Sequence, residues 1–183
     1  MDELRLYSVS DEYIAYLKNI DAHIYSNKEE HRTHTRKYVG TVLEINSFQY
    51  FVPMSSPKKV DFQKAGDTMA IKKSIIPVYR MVIRDDTGNK KLLGTLRISH
   101  MIPVPETELE LYDVSSEPDR AYRDLVNAEI ITLRRNTEKI KRNAEIMYRQ
   151  KIHDDRTAGY VDSALDYVQL EAACKAYEKL KSL

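Results

Sequence analysis

Residues 37–59 read KYVGTVLEINSFQYFVPMSSPKK. Two runs rich in β-branched and aromatic residues, YVGTVLEI (38–45) and FQYFVPM (48–54), flank Asn46-Ser47, a strong signal for a tight hairpin. The second run stops at two adjacent hydroxyls, Ser55 and Ser56, followed by Pro57, Lys58 and Lys59. A hairpin returns the chain, so residues before Tyr38 come near residues after Met54. Arg32, Arg36 and Lys37 precede it, and Lys58 and Lys59 follow it. The stretch therefore predicts a β-rich centre with several cations gathered beside two serines.

Working outward, LRLYSV (4–9) alternates as a short strand, and SDEYIAYLKNI reads as a helix with Ser10 as N-cap and Tyr13, Ile14, Leu17 and Ile20 on one face. Residues 21–37 are polar and loop-like. MAIKKSIIPVYRMVIRD and KLLGTLRISHMIPV read as two more strands around the turn DTGN, and Pro77 predicts a strand start, a bulge or an edge. ELELYDV reads as a further short strand. Residues 117–150 contain no internal proline or glycine after Pro118, which sits where a missing N–H costs nothing, and read as one long helix. HDDRTAG breaks it, and residues 160–183 read as a last amphipathic helix. This order predicts an α+β fold: one domain over residues 1–183, an antiparallel sheet core with helices packed on it, including a long C-terminal helical segment.

The 183 residues suit one domain able to bury a core without staples. With 29 basic against 28 acidic residues, net charge names no partner, so any nucleic-acid contact must come from local clusters. The single cysteine, Cys174, excludes a disulfide framework and reads as a buried apolar group; it fits a reducing cytosol. No secretory signal or membrane-length apolar run is expected. The aromatic set is tilted to 13 tyrosines, which predicts core packing with hydroxyls at the surface. Tyr112, Tyr122 and Tyr148 are read as core, although they have the chemistry to stack on bases.

Nucleotide-binding loops and the usual zinc and serine-hydrolase motifs are missing. His23, His31, His34, His100 and His153 show no metal-ligand spacing; His31 and His34 lie in a polar loop, His100 reads as a surface histidine, and Asp85-Asp86 as turn chemistry. Local positive density is found in RTHTRK, SPKK and LRRNTEKIKR. Each alone reads as a solvated surface. A chemistry that suits cations beside hydroxyls is RNA cleavage, because RNA supplies its own nucleophile, the 2′-hydroxyl. The protein need only align it, neutralise charge at phosphorus and assist proton transfer, with no metal or cofactor. Serine alone is a poor base, so the serines are positioning groups.

The stretch at 37–59, LYSVSDEYIAYLKNID near the start, GTLRISHMIPVP later and the basic C-terminal helical region together resemble the ToxN/AbiQ family, the endoribonuclease toxins of type III toxin–antitoxin systems. The resemblance implies catalytic roles for Ser55, Ser56 and Lys58, with Ser56 foremost. It also implies a basic residue before Tyr38, a place filled by Arg36 or Lys37, and an earlier loop tyrosine, Tyr25. Relatives often have threonine where this chain has Ser55. Further RNA contacts are expected at Arg32, Lys37, Lys59, Lys64, Arg134, Arg135 and Lys141. The resemblance implies a cytoplasmic enzyme without membrane contact. Its partner would be a small RNA pseudoknot antitoxin, cut from a repeat precursor and held in a closed assembly of several copies, and cellular mRNA would be its substrate. Two other readings remain: a non-catalytic RNA-binding module of the same fold, and a structural protein in which MSSPKK is an ordinary turn.

Overall fold

The computed structural model describes residues 3–28 and 33–182, so Arg32 and His31 lie outside it. The hairpin forms as its sequence predicts. Strands β2 (Tyr38–Ile45) and β3 (Phe48–Ser55) pair antiparallel around Asn46 and Ser47, whose φ angles of 52° and 67° are both left-handed. Such a two-residue turn matches the natural twist of the strands. Asn46 also donates from Nδ2 to the Tyr148 hydroxyl at 3.1 Å, pinning the hairpin tip to a helix.

Strand β3 is buried along almost its whole length because partners occupy both its edges. On one side lies β2. On the other, Tyr50 and Phe51 pair with β8 (Ile102–Pro103), and Met54 and Ser55 pair with β7 (Lys90–Arg97). Val52 and Pro53 have no ladder partner on that edge, a place where a proline is tolerated. Among the described residues, β6 (Val78–Arg84), β1 (Arg5–Val9) and β9 (Leu109–Leu111) complete a seven-stranded antiparallel sheet, in the order β6-β7-β3-β2-β1-β9 with β8 beside β3.

Helix α1 (Asp11–Ile20) starts as read: the Ser10 hydroxyl accepts from the Tyr13 N–H at 3.1 Å and also donates to the Glu108 carboxylate. Residues 69–85 are not one strand. β5 (Thr68–Ile71) folds back on β4 (Phe62–Ala65) as a separate ribbon around Gly66, and β6 begins just after Pro77. The long helix is also two. α2 (Arg120–Arg135) and α3 (Thr137–Ile152) meet at Asn136, whose side-chain amide donates to the Thr132 carbonyl at 2.8 Å. Local bonding of this kind competes with the helix ladder. The break has a packing reason: α2 covers β6 and β7, whereas α3 covers β2 and the 3-10 turn at Ile98–His100. The last helix, α4 (Tyr167–Lys181), starts seven residues later than its sequence suggests, capped by Asp166, whose carboxylate accepts from the Gln169 N–H at 3.0 Å.

The buried tyrosines depart from the expectation of surface hydroxyls. Tyr50 and Tyr148 both donate to Glu171 Oε1 at 2.8 Å, Tyr13 donates to the Pro103 carbonyl at 2.7 Å, and Tyr167 donates to the Ser99 carbonyl at 3.1 Å. The rings of Tyr50, Tyr148 and Tyr167 pack on one another between sheet and helices. A buried hydroxyl without a partner is costly, and for these four the helices and strand ends supply one. Cys174 is buried, and Asp85 Oδ1 accepts from Thr87 and Asn89 as turn chemistry.

Gly40 faces the Phe51 ring across the hairpin, and a Cβ there would overlap it. Gly40→Ala is expected to cost about 1–3 kcal/mol by overpacking, read as a lower urea midpoint. Gly159→Ala, which meets open space, is the near-neutral control. Tyr50→Phe removes one of the two bonds to Glu171 and is expected to cost about 1 kcal/mol in the same measurement.

Candidate active site

The end of β3 places two consecutive serines in opposite surroundings, because Ser55 is the last residue of the buried strand and Ser56 the first of the turn that leaves it. Ser55 is buried and Ser56 is exposed, as are Pro57, Lys58 and Lys59 after it. The Ser55 hydroxyl accepts from Arg36 Nη1 at 3.0 Å. The same nitrogen donates to the Met54 carbonyl at 2.6 Å, and Arg36 Nε donates to the Ser26 carbonyl at 3.0 Å. Arg36 is only 2% exposed, so it is a strut beneath the serines rather than a surface cation.

The polar loop before β2 is held to the sheet by backbone and amide bonds. Asn27 Nδ2 donates to the Val9 carbonyl at 2.7 Å and to Asp11 at 2.9 Å, and the Asn27 carbonyl accepts from the Arg36 N–H at 2.8 Å. The Lys37 carbonyl then accepts from the Met54 N–H at 2.9 Å. These bonds bring Tyr25 to Arg36 and Lys58. Its ring lies 4.8 Å from the Arg36 guanidinium carbon, 5.9 Å from Lys58 Nζ, and stacks on His100 at 4.6 Å. His100 is therefore not a plain surface histidine. Burial, with Arg97 nearby, pushes its pKa down to about 4, so it is a neutral ring at neutral pH, with Nδ1 3.0 Å from the Ser99 hydroxyl.

Lys58 is positioned from below by Asp61. This carboxylate accepts from the Lys58 N–H at 2.9 Å and is wholly buried between Arg80 at 3.1 Å and Arg97 at 3.2 Å. A paired, hydrogen-bonded charge can be buried where an isolated one cannot. Sequence reasoning passed over Asp61, Arg80 and Arg97 and read His100 as a surface histidine. They lie on separate strands and turns, and no local pattern joins them.

Two clefts border these groups, and the serines line the first. One, about 240 Å3, is lined by Ser55, Ser56, Lys37, His34, Tyr122 and Glu129. In it the His34 and Tyr122 rings stack at 3.6 Å, so Tyr122 is a cleft residue rather than pure core. Lys37 lies half-buried with Nζ 4.3 Å over the Tyr112 ring; desolvation lowers its pKa, opposed by Glu117 and Glu110. The other cleft, about 600 Å3, runs from Tyr25 and His100 past Arg97 and Arg80 to Lys72 and Lys73. Its two lysines carry no sequence motif and were also missed. Lys59 is exposed beside Lys58, and Lys64 is exposed on β4. Arg134, Arg135 and Lys141 line neither cleft. They border separate hollows shared with Glu3, Glu138 and Glu145, and Arg134 pairs with Glu3 at 2.9 Å. Among the described residues no group of three or more His, Cys, Asp or Glu side chains is placed to hold a metal ion.

With this geometry in hand, the chain can be compared with known proteins. The family model described as toxin ToxN of type III toxin–antitoxin systems matches residues 5–175. The endoribonuclease AbiQ of Lactococcus lactis subsp. lactis is 32% identical over 96% of this chain and 90% of its own length. The endoribonuclease ToxN of Bacillus thuringiensis subsp. kurstaki is 26% identical over 97% and 86%. Among solved structures, the lactococcal anti-phage AbiQ superposes with a TM-score of 0.77 at 29% identity, covering 97% of this chain and 99% of AbiQ. A bacterial type III toxin selectively inhibited by a non-coding RNA pseudoknot gives 0.75 at 26% identity, with coverage of 97% and 99%. The match runs through both halves of the sheet and all the elements that build the serine site, and the chain belongs to the ToxN/AbiQ family of endoribonuclease toxins of type III toxin–antitoxin systems.

Proposed function

We propose that this chain cuts RNA at the end of β3 by attack of the substrate's own 2′-oxygen on the adjacent phosphorus, leaving a 2′,3′-cyclic phosphate and a 5′-hydroxyl. The observation that supports this most directly is the Arg36–Ser55 bond at 3.0 Å beneath the exposed Ser56 and Lys58. Because the Ser55 oxygen already accepts from a guanidinium, its own O–H is left to donate to a phosphate oxygen. Ser56 donates beside it. Lys58 lies at the same end and balances the charge that grows on the non-bridging oxygens. Arg36 acts through Ser55 and does not touch RNA. Tyr25, stacked on His100 and close to Arg36, offers its hydroxyl rather than its ring face.

The cleft from Tyr25 to Lys72 and Lys73 supplies a track for phosphates on one side of the cut, with Lys59 and Lys64 beside it. Lys37 holds a phosphate on the other side. Arg134, Arg135 and Lys141 meet the folded body of an RNA partner away from the cut. In keeping with the pseudoknot-inhibited relative, that partner is a small RNA pseudoknot antitoxin, bound in a closed assembly of several copies, and the cellular substrate is mRNA. Among the described residues no helix is long and apolar enough to cross a membrane, and the proposed site of action is the cytoplasm.

Incubation with RNA in excess chelator is expected to give cyclic phosphate ends, detected by mass spectrometry of the fragments. Ser56→Ala is expected to lower turnover by about 10²–10³-fold, the effect of losing one donor to a developing oxyanion, with RNA affinity little changed. Equal turnover in Ser56→Ala and wild type would remove Ser56 from the site. Binding without cleavage by the wild type would leave an RNA-binding module.

A further inference from the structure

The smaller cleft beside the serines contains a group that the cleavage reading leaves unused. Glu129, on α2, is 8% exposed and lines the cleft with Ser55 and Ser56. Its carboxyl occupies the space left by a glycine: a Cβ on Gly94 would sit 2.6 Å from Glu129 Oε1 and 3.1 Å from the Ser55 carbonyl oxygen. The acid therefore reaches the same stretch of main chain that ends in the serine pair. Among the described residues it makes no hydrogen bond or ion pair. A buried carboxyl without a partner is costly, and in native structures such a group calls for an explanation.

Burial alone raises the Glu129 pKa to about 7, so it is half neutral at neutral pH. Gly94 and Met81 meet it from the sheet, and neither titrates. The titratable groups sharing the cleft are Lys37, set over the Tyr112 ring, His34, whose Nε2 lies 3.5 Å from Asp119, and Tyr122, whose ring stacks on His34. Among the described residues, no hydrogen bond or ion pair joins any of them to Glu129. Leu93, Leu125 and Val126 supply apolar walls, beside the hydroxyls of Thr33 and Thr35. The cleft, of about 240 Å3, has room for one heterocyclic base.

We propose that this cleft is a subsite for one unstacked nucleobase next to the phosphate held at Ser55 and Ser56, and that the Glu129 carboxyl reads the base's hydrogen-bonding edge. The proposal rests on the ribonuclease reading for its choice of RNA. Single-stranded RNA is recognised in this way, with a splayed base in an apolar slot and a polar group on its edge. The chemistry of the acid then makes a specific demand. A neutral carboxyl offers one donor beside one acceptor. Each of the four bases presents such a pair: adenine N1 with its amine, cytosine N3 with its amine, guanine O6 with N1–H, uracil O4 with N3–H. An ionised carboxylate only accepts. Guanine alone, through N1–H and its 2-amine, presents two adjacent donors. Base preference at this subsite therefore turns toward guanine as the acid ionises.

The test uses RNA oligonucleotides 2′-O-methylated at every position but one, with A, C, G or U in turn on each side of the remaining 2′-hydroxyl. The guanine-to-adenine ratio of kcat/KM is read at about pH 6 and about pH 8, either side of the carboxyl's value. Any group that titrates identically for all substrates cancels in the ratio. In the wild type the ratio at one flanking position is expected to rise about tenfold or more, the discrimination of a good bidentate pair. In Glu129→Gln, whose amide keeps one donor and one acceptor and cannot ionise, the ratio is expected to be flat. A wild-type ratio that does not move with pH, or one that moves equally in Glu129→Gln, overturns the proposal. Should Glu129→Gln not fold, the wild-type ratio decides alone. Fully methylated oligonucleotides give the same comparison as Kd. If the wild type cuts nothing yet Kd shows the guanine shift, the subsite stands and the ribonuclease reading falls. If it cuts with a pH-invariant preference, the ribonuclease reading stands and the subsite falls.

Discussion

The Arg36 guanidinium, buried between a loop and the end of β3, is the interaction on which the site depends. Among the described residues between Asp21 and Lys37, no helix or strand holds the chain in place. A guanidinium cannot be buried at tolerable cost unless its donors are met, and here the Ser26 carbonyl, the Met54 carbonyl and the Ser55 hydroxyl meet them. Those acceptors lie on the two segments that must come together. One charged side chain thus fixes the loop, orients Ser55 and packs against the Tyr25 ring. Asn27 reinforces the arrangement from behind, through Val9 and Asp11.

A second buried charge, of opposite sign, fixes the other flank. Asp61 gathers Arg80, Arg97 and the Lys58 N–H around one fully buried carboxylate. Between Ser55, tied to the first hub, and Asp61 the chain is exposed from Ser56 to Val60. The exposed stretch is short and held at both ends, so its groups are placed before any ligand arrives. Preorganised donors of this kind stabilise developing charge without reorganising when the reaction occurs. The wider cluster of basic side chains around Tyr25 and His100 extends from the same hub, because Arg80 and Arg97 border both Asp61 and the larger cleft.

The parts of this architecture that were legible are those with local causes. Asn46-Ser47 announces the hairpin because few residue pairs accept left-handed backbone there. Ser10 announces α1 because its hydroxyl replaces a missing helix bond. The serine pair and Lys58 were visible as a hydroxyl–proline–lysine ending to a strand. Other features had no local signal. Asn136 looks like an ordinary polar helix residue, and only the need to cover different strands splits α2 from α3. Arg36 looked like a surface cation, and its burial is visible only once the loop is docked. Glu129 sits in a helix full of charges, and nothing in its neighbours marks it as the one that faces inward.

The sequence by itself determined the α+β order of elements, the central hairpin, the family and the serine pair at the strand end, because each follows from periodicity, turn chemistry or a contiguous motif. The tertiary structure decided which charges are buried and which are free. It put Arg36 and Asp61 inside, joined His100 to Tyr25 across 75 residues, opened one cleft at the serines and another beside Tyr25 and His100, and moved Arg134, Arg135 and Lys141 away from both. The physical reason is that burial and ionisation are set by what packs around a side chain. That surrounding is assembled from strands and loops far apart in the chain, so no short window of residues contains it.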